Sequence, residues 1–380
     1  IEGKKAKITL FLISGTGILT TGIDTLVGTD KGDVFNAVQA GTAFVLGALD
    51  TIDGGAGVDT LNVQDTATAG SFSFGGATIK NVENINVTTN GDFTGLNTTA
   101  ITGLTSFTGK AAGTAATTLT VADTTAVTLT LGTTADSSVS GGTSVNVTKG
   151  ATAIGALDIK GKALTDVTVK GGTYTAAVTS DILAIDNLEN TVAAASGKGT
   201  TLKTVTLDGV AGTDTGAITI KGAAIDTLVL KNQIAAQETI ITNDTSTSLT
   251  IKADGVGYTA AGAAVTNTVN AGSKAATLNV EATGAKSALT LTGAVAKTVN
   301  ITGTAALDLA QITTATKIDG SAATGNLTLN TLNAITVDVK TEKSTLIKGG
   351  ETEISWTSTN ATSCTSSGGG GTGTSGTFKT

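Results

Sequence analysis

A glycine- and aspartate-rich segment near the amino terminus carries the residues best suited to bind a metal ion. Residues 54–62 match the nine-residue repeat G-G-x-G-x-D-x-U-x, in which U is a large apolar residue, at every specified position. The glycines permit a tight turn with inward carbonyl oxygens, Asp59 supplies a carboxylate, and Leu61 anchors the following strand. Because calcium prefers such oxygen ligands, this segment predicts a Ca²⁺ site.

One nonapeptide normally supplies half of a site, because the ion lies between the turns of two successive repeats. A degraded copy at residues 28–36 offers the second turn, with Asp30 and Asp33 as candidate ligands and Asn36 as a further oxygen donor. Asp24 and Asp50 add carboxylates nearby. A simpler interpretation stays open, since Gly and Asp also dominate ordinary turns between strands for backbone reasons alone.

The composition narrows the possible functions. The chain of 380 residues has no His, and all its basic residues are Lys. Without His there is no Ser-His-Asp or Cys-His nucleophile, and without Arg there is no bidentate clamp for phosphate. The net charge is -7 and the Lys residues are scattered, which is unlike a nucleic-acid-binding surface. We therefore predict a protein that is not an enzyme and does not bind nucleic acid.

Low charge and abundant Gly and Thr are typical of extracellular β-rich proteins. Charged residues make up 14% of the chain, against roughly 25% in an average globular protein. Thr combines a preference for strands with a polar outward side chain. No apolar run is long enough to span a membrane, and Cys364 has no partner in the chain for a disulfide. The composition therefore predicts an extracellular location.

Triplets of an apolar, a polar and an apolar residue recur from Leu119 onward, about every ten residues, and predict short strands. Two all-β architectures fit this spacing. One is a β-solenoid resembling a parallel β-helix, in which short strands stack coil upon coil, and the other is a series of β-sandwich domains. The scarcity of aromatic residues and the absence of Pro favour the solenoid. Residues 181–190 have mixed apolar spacing, which predicts a helical turn.

Changes of composition predict three regions. Residues 1–115 form an amino-terminal β region with calcium-type turns, and residues 116–340 form a β-repeat region rich in Thr, Gly and Ala. Residues 341–380 contain Ile354 and Trp356 in an alternating pattern that is typical of a strand. This last region predicts the start of an immunoglobulin-like module, or a linker, that is cut short at the end of the chain.

The amino-terminal region resembles bacterial surface-layer and related secreted repeat proteins of the RTX type. The segments that carry this resemblance are residues 19–29, 33–37 and 49–63, continued by residues 79–87. Residues 349–364 separately resemble the start of a bacterial immunoglobulin-like module. The resemblance implies export from a Gram-negative cell, a role in an ordered coat, and calcium-site positions at Asp53, Gly55, Gly57 and Asp59.

These observations together predict an extracellular structural protein of the bacterial cell surface, a self-assembling surface-layer or filament subunit stabilised by calcium. Its expected partner is a second copy of itself. The alternative is a calcium-dependent adhesin or biofilm-matrix protein that binds a cell-surface glycan, which the immunoglobulin-like segment favours. A polysaccharide lyase on a parallel β-helix is a further alternative, in which only scattered Lys residues could serve as the base.

Overall fold

Stacked parallel strands form a β-solenoid of about 13 turns. The computed structural model describes residues 7–11, 15–39, 44–66, 70–132, 135–150, 152–174, 181–189, 195–212, 216–293, 295–310, 314–330, 336–341, 353–359, 364–365, 372–373 and 375–379. Every regular element in these residues is a strand, so the predicted all-β solenoid is confirmed. None of them forms a helix able to cross a membrane.

Two sheets run along most of the solenoid, and from β9 onward successive coils contribute strands to both of them. The long sheet contains β2 (Thr16–Ile18), β4 (Val34–Val38), β6 (Thr60–Asp65), β8 (Asn84–Thr89), β10 (Ser106–Ala111), β12 (Ala126–Leu131), β14 (Ser144–Lys149), β17 (Asp166–Lys170), β20 (Thr204–Asp208), β23 (Thr227–Lys231), β25 (Ser248–Asp254), β27 (Thr277–Ala282), β29 (Thr298–Gly303) and β31 (Lys317–Ala323). The second sheet contains β9 (Leu96–Asn97), β11 (Thr118–Thr120), β13 (Ser137–Ser140), β16 (Leu157–Gly161), β19 (Leu183–Asn187), β22 (Ile218–Lys221), β24 (Gln237–Thr242), β26 (Asn267–Asn270), β28 (Ser287–Thr292), β30 (Leu307–Ala310) and β32 (Leu327–Asn330).

Smaller sheets complete the architecture. The amino-terminal sheet contains β1 (Lys7–Phe11), β3 (Ile23–Val27), β5 (Thr51–Asp53) and β7 (Thr78–Lys80), all parallel. A short parallel sheet contains β15 (Thr152–Ile154), β18 (Thr173–Tyr174) and β21 (Ala211–Gly212). Antiparallel strands follow the solenoid: β33 (Thr336–Thr341) pairs with β34 (Glu353–Thr359), which pairs with β37 (Ser375–Lys379), and β35 (Cys364–Thr365) pairs with β36 (Thr372–Gly373). The division of the chain into residues 1–115, 116–340 and 341–380 stays a prediction.

The core follows from the alternation of side chains along each strand. In β12, Val127 and Leu129 point inward and are buried, while Thr128 points outward. Parallel pairing in register places Val127 beside Val145 of β14, so that apolar side chains stack in columns through the coils. Strand β19 shows the same alternation, with Leu183 and Ile185 buried. The helical turn predicted for residues 181–190 is therefore wrong for residues 183–187, because side chains that alternate between buried and half-buried are typical of a strand.

Two corners position the candidate site in the amino-terminal coils. The first corner is the set of turns that lead from the amino-terminal sheet into the long sheet, namely from β3 to β4, from β5 to β6 and from β7 to β8. The second corner is the set of turns that lead back, from β2 to β3 and from β4 to β5. Because the coils stack in register, equivalent turn residues of successive coils lie above one another.

Candidate metal site at the first corner

Three acidic residues stack at the first corner, one in each of three successive coils. The Asp33 backbone N–H donates to Oδ1 of Asp59 at 2.7 Å, and the Asp59 N–H donates to Oε2 of Glu83 at 2.8 Å. Each carboxylate therefore accepts the amide of the coil before it, and Asp33 and Asp59 are buried. This acidic column, Asp33, Asp59 and Glu83, concentrates negative charge at the corner.

Both carboxylate oxygens of Asp33 accept hydrogen bonds, from its own turn and from the preceding coil. Its Oδ2 accepts the Thr29 backbone N–H at 2.6 Å and the Thr29 hydroxyl at 2.8 Å, and its Oδ1 accepts the Gly15 N–H at 3.2 Å. These hydrogen bonds, led by the Thr29 amide, hold the pKa of Asp33 below its usual value despite burial. Asp33 therefore stays charged at neutral pH without a metal ion.

Asp59 differs from Asp33 because its second oxygen has no donor. Gly55 stands where the upstream turn has Thr29, and the Gly55 N–H donates to Asp53 Oδ1 at 3.2 Å instead. Asp59 Oδ2 is buried and has no hydrogen-bond partner. Burial first, and then the charges of Glu83, Asp33 and Asp53, raise the pKa of Asp59 above its usual value. A buried carboxylate oxygen without a partner destabilises the fold unless a cation or a proton neutralises it.

Glycine at position 54 lets a second oxygen approach this carboxylate oxygen closely. A Cβ on Gly54 would lie 1.7 Å from the Asn81 carbonyl oxygen and 2.5 Å from Asp59 Oδ2. Both oxygens therefore lie close to Gly54, and a side chain there would collide with them. Carboxylate and carbonyl oxygens are the donor set of a hard cation such as Ca²⁺. Among the described residues, no three acidic, Cys or His side chains converge on one point, so backbone carbonyls would have to supply part of the coordination.

The other residues predicted for the site include an ion-paired aspartate, two turn glycines and an exposed aspartate. Asp53 is on the outer side of β5, where Lys80 Nζ lies 2.8 Å from its Oδ2, and this ion pair lowers the pKa of Asp53. Gly55 and Gly57 lie in the first-corner turn with φ of 91° and 119°, a backbone conformation that favours glycine. Asp30 is exposed in the upstream turn of the same corner.

Asp50 lies at the second corner and not beside Asp59. Its Oδ1 accepts the Asp24 backbone N–H at 2.8 Å, and its Oδ2 accepts the Gly47 N–H at 2.7 Å. Asp24 in turn accepts the Thr20 N–H at 2.7 Å. Chain donors thus satisfy this second pair of stacked aspartates, which differs in this respect from Asp59 at the first corner.

Glu83 and Asn81 belong to the first corner and were missed from the sequence. Residues 81–83 do not match the nonapeptide, yet Glu83 follows Asp59 by 24 residues, close to the 26 residues between Asp33 and Asp59. That spacing alone could have identified the third member of the acidic column. Asn81 has a positive φ of 52°, which Asn tolerates better than most residues, and this turn delivers its carbonyl to Gly54.

A second polar cluster, formed by Tyr258, Lys286 and Asp308, was also missed. The Tyr258 hydroxyl donates to Asp308 Oδ2, and Lys286 Nζ lies 2.9 Å from the same carboxylate oxygen and 4.7 Å from the centre of the Tyr258 ring. Burial and the hydrogen bond to Asp308 raise the pKa of Tyr258. The three groups satisfy one another and fasten the segment around Tyr258 onto the second sheet.

The fold and the first corner define a β-solenoid with carboxylate-lined turns. No family model and no curated protein matches this chain.

Proposed function

We propose that this protein is an extracellular structural protein of a bacterial surface, a self-assembling coat or filament subunit that calcium stabilises at the first corner. The observation that carries the proposal is Asp59 Oδ2, which is buried, unpartnered and close to other negative charges. A divalent cation there would replace repulsion within the acidic column by attraction.

The residues that would hold the ion are those whose oxygens approach Gly54 most closely. Asp59 would contribute its free Oδ2, and Asn81 would contribute its carbonyl oxygen. Asp33 and Glu83 would act through their charges, because their described hydrogen bonds already engage them with backbone amides. A bound calcium ion would supply positive charge and tie successive coils together, so that the external calcium concentration would set the stability of the amino-terminal coils.

The regularity of the solenoid supports the structural part of the proposal. Fourteen strands stack in the long sheet, and all except β31 alternate buried with less buried residues, which suits a stiff scaffold better than a mobile binding module. The expected partner is a second copy of the chain. An adhesin is the second candidate, and the antiparallel strands from Thr336 to Lys379 favour it, because modules of that kind can be strung into a stalk.

Asp59→Asn is expected to abolish stabilisation by calcium. At a calcium concentration one hundred times the dissociation constant, the wild type should gain about 2.7 kcal/mol of unfolding free energy, and the variant should gain none. In chelator the variant should be at least as stable as the wild type, because the amide removes a buried charge whose pKa is raised. Thermal unfolding followed by circular dichroism, with and without calcium, measures both effects.

Asp53→Asn is the matched control for this experiment. Asp53 lies in the same coil but points outward to Lys80, so its variant should keep the calcium response. A wild-type melting temperature that calcium leaves unchanged would contradict the site. So would an Asp59→Asn variant that responds like the wild type.

Self-assembly is expected to depend on calcium. Electron microscopy of the purified protein in millimolar calcium should show ordered sheets or filaments that disperse in chelator, and Asp59→Asn should remain dispersed in both. The physical reason is that an unneutralised acidic column loosens the amino-terminal coils. Dispersed wild-type particles under both conditions would remove the assembly proposal and leave the adhesin as the better candidate.

A further inference from the structure

The outer side of the long sheet is almost free of charge over six consecutive strands. Strands β4, β6, β8, β10, β12 and β14 each present three outward side chains, eighteen in all. Lys110 is the single charged residue among them, and fourteen of the eighteen carry an amide or a hydroxyl group. We call this surface the neutral face.

The same sheet becomes charged farther along the solenoid. Strand β17 presents Asp166 and Lys170, β20 presents Asp208, and β25 presents Lys252. Cross-strand ion pairs form there, for example between Lys252 and Glu281 at 3.2 Å. One continuous sheet thus has a neutral half and a charged half, which provides an internal control for the role of charge.

Amides and hydroxyls on the neutral face line up in a column that crosses the strands. In-register pairing places one such residue of each coil in the central column, which consists of Asn36, Asn62, Asn86, Thr108, Thr128 and Asn146. The Asn62 amide donates to Asn36 Oδ1 at 3.1 Å, and the Asn86 amide donates to Asn62 Oδ1 at 2.9 Å. Polar groups therefore repeat at the strand spacing of about 4.8 Å.

A shallow trough runs beside this column. It has a volume of about 420 Å³ and lies between the central column and a second outward column that contains Val38, Gln64 and Thr88. Its lining is uncharged and combines amide and hydroxyl groups with the exposed methyl groups of Val38. A ligand in the trough would meet one asparagine of the central column at each of three coils, with the methyl groups of Val38 at the first of them.

We infer that the neutral face binds a neutral, extended polysaccharide that lies across the strands, with one sugar over each coil. The absence of a basic stripe disfavours acidic polymers, and a regular array of amides and hydroxyls matches a regular array of sugar hydroxyls. One sugar of an extended β-linked chain is comparable in length to one strand spacing, so successive sugars meet successive coils. The inference does not depend on the calcium site, which lies at a corner and not on this face.

Depletion of the full chain from solution by insoluble cellulose and by chitin tests the inference, with alginate gel as an acidic comparator. The wild type should bind at least one of the two neutral polymers and should not bind alginate. The double variant Thr108→Lys/Thr128→Lys places two charges in the central column and should weaken binding at least about tenfold. Thr302→Lys is the matched control, because Thr302 is an exposed threonine on β29, in the charged half of the same sheet, and binding should stay within about twofold of the wild type.

Melting curves establish that each variant is folded before its binding is compared. If the double lysine variant fails to fold, Thr128→Val removes one outward hydroxyl without adding charge and should still weaken binding. The inference is overturned if neither polymer depletes the wild type, if alginate binds more strongly, or if Thr302→Lys loses as much binding as the double variant. It is equally overturned if the wild type shapes growing ice crystals but binds neither polymer, since the ordered hydroxyls of ice would then be the occupant.

Discussion

Lys149→Met is expected to stabilise the folded protein at pH 7 by about 3 kcal/mol. Lys149 is the last residue of β14 and points into the solenoid, where it is 2% exposed. Its Nζ lies 3.5 Å from the Ser137 hydroxyl, and the charge of Asp136 offsets part of the cost of burial. Burial nevertheless lowers the pKa of Lys149 to about 8, which means that the charged form is held at a substantial cost.

The sign of the pH dependence follows from that lowered pKa. The unfolded chain keeps the Lys149 proton up to its ordinary pKa of 10.5, whereas the folded chain releases it near pH 8. Between these values the unfolded state binds more protons, so wild-type stability should rise with pH through this window. Below pH 8 the full free-energy cost of burying the charged Lys149 amine is present. The advantage of Lys149→Met should therefore be largest below pH 8 and should disappear above about pH 10.5.

Urea unfolding between pH 6 and pH 11 measures this difference, and Lys170→Met is its control. Lys170 lies on the adjacent strand β17 with an exposed side chain, so its replacement should change stability by less than about 0.5 kcal/mol at every pH. Taking the difference between variants cancels the titration of all other groups. A Lys149→Met variant that is less stable than the wild type at pH 7 would show that the buried amine is a net stabiliser.

Gly54→Ala is expected to destabilise the protein by at least about 3 kcal/mol. The added Cβ would approach the Asn81 carbonyl oxygen to 1.7 Å, and that oxygen belongs to the backbone of the next coil. A backbone atom of a turn that is held between two paired strands, β7 and β8, cannot move aside like a flexible side chain, so relief requires the two coils to separate. The same methyl group would meet Asp59 Oδ2, and calcium should therefore stabilise this variant less than the wild type.

Gly150→Ala provides the comparison, because a Cβ at Gly150 would meet no atom within 4 Å. That variant should be as stable as the wild type or slightly more stable, since alanine restricts the unfolded chain. Chemical denaturation of both variants, in calcium and in chelator, gives the two free energies. Equal stability of Gly54→Ala and the wild type would mean that the coils at the first corner are not packed as closely as the Gly54 contacts require.

Strand positions were predictable because alternation of apolar and polar residues reports burial directly. Val127, Thr128 and Leu129 form such a triplet, and the structure places the two apolar members inside. The error at residues 181–190 arose where Ile182 and Leu183 are adjacent and both buried, since Ile182 precedes the strand and obscures its alternation. The same alternation places Lys149 inward, two residues after Val147, and could have revealed the buried amine.

The candidate site was only partly predictable, because residues that are close in the sequence lie at opposite ends of a short strand. Asp50 precedes β5 and Asp53 is the last residue of this strand, whose three residues cross from the second corner to the first. Because these residues are close in the sequence, they were predicted to form one group of ligands. In the structure they are divided between two corners. Glu83 could be recognised only from the distance between coils and not from a motif, since the residues around it do not repeat the glycine pattern.

Pairing along the long sheet joins each strand only to those of the coils before and after it. Aligned residues are as little as 18 positions apart, as for Val127 and Val145, and as much as 38 positions apart, as for Val167 and Val205. The loop that closes each new coil is therefore short, and its entropic cost does not depend on how many coils precede it. A chain that emerges progressively, from a ribosome or through a pore, can add one coil at a time to a template already in place. Extending such a molecule would lengthen it without making any single folding step harder.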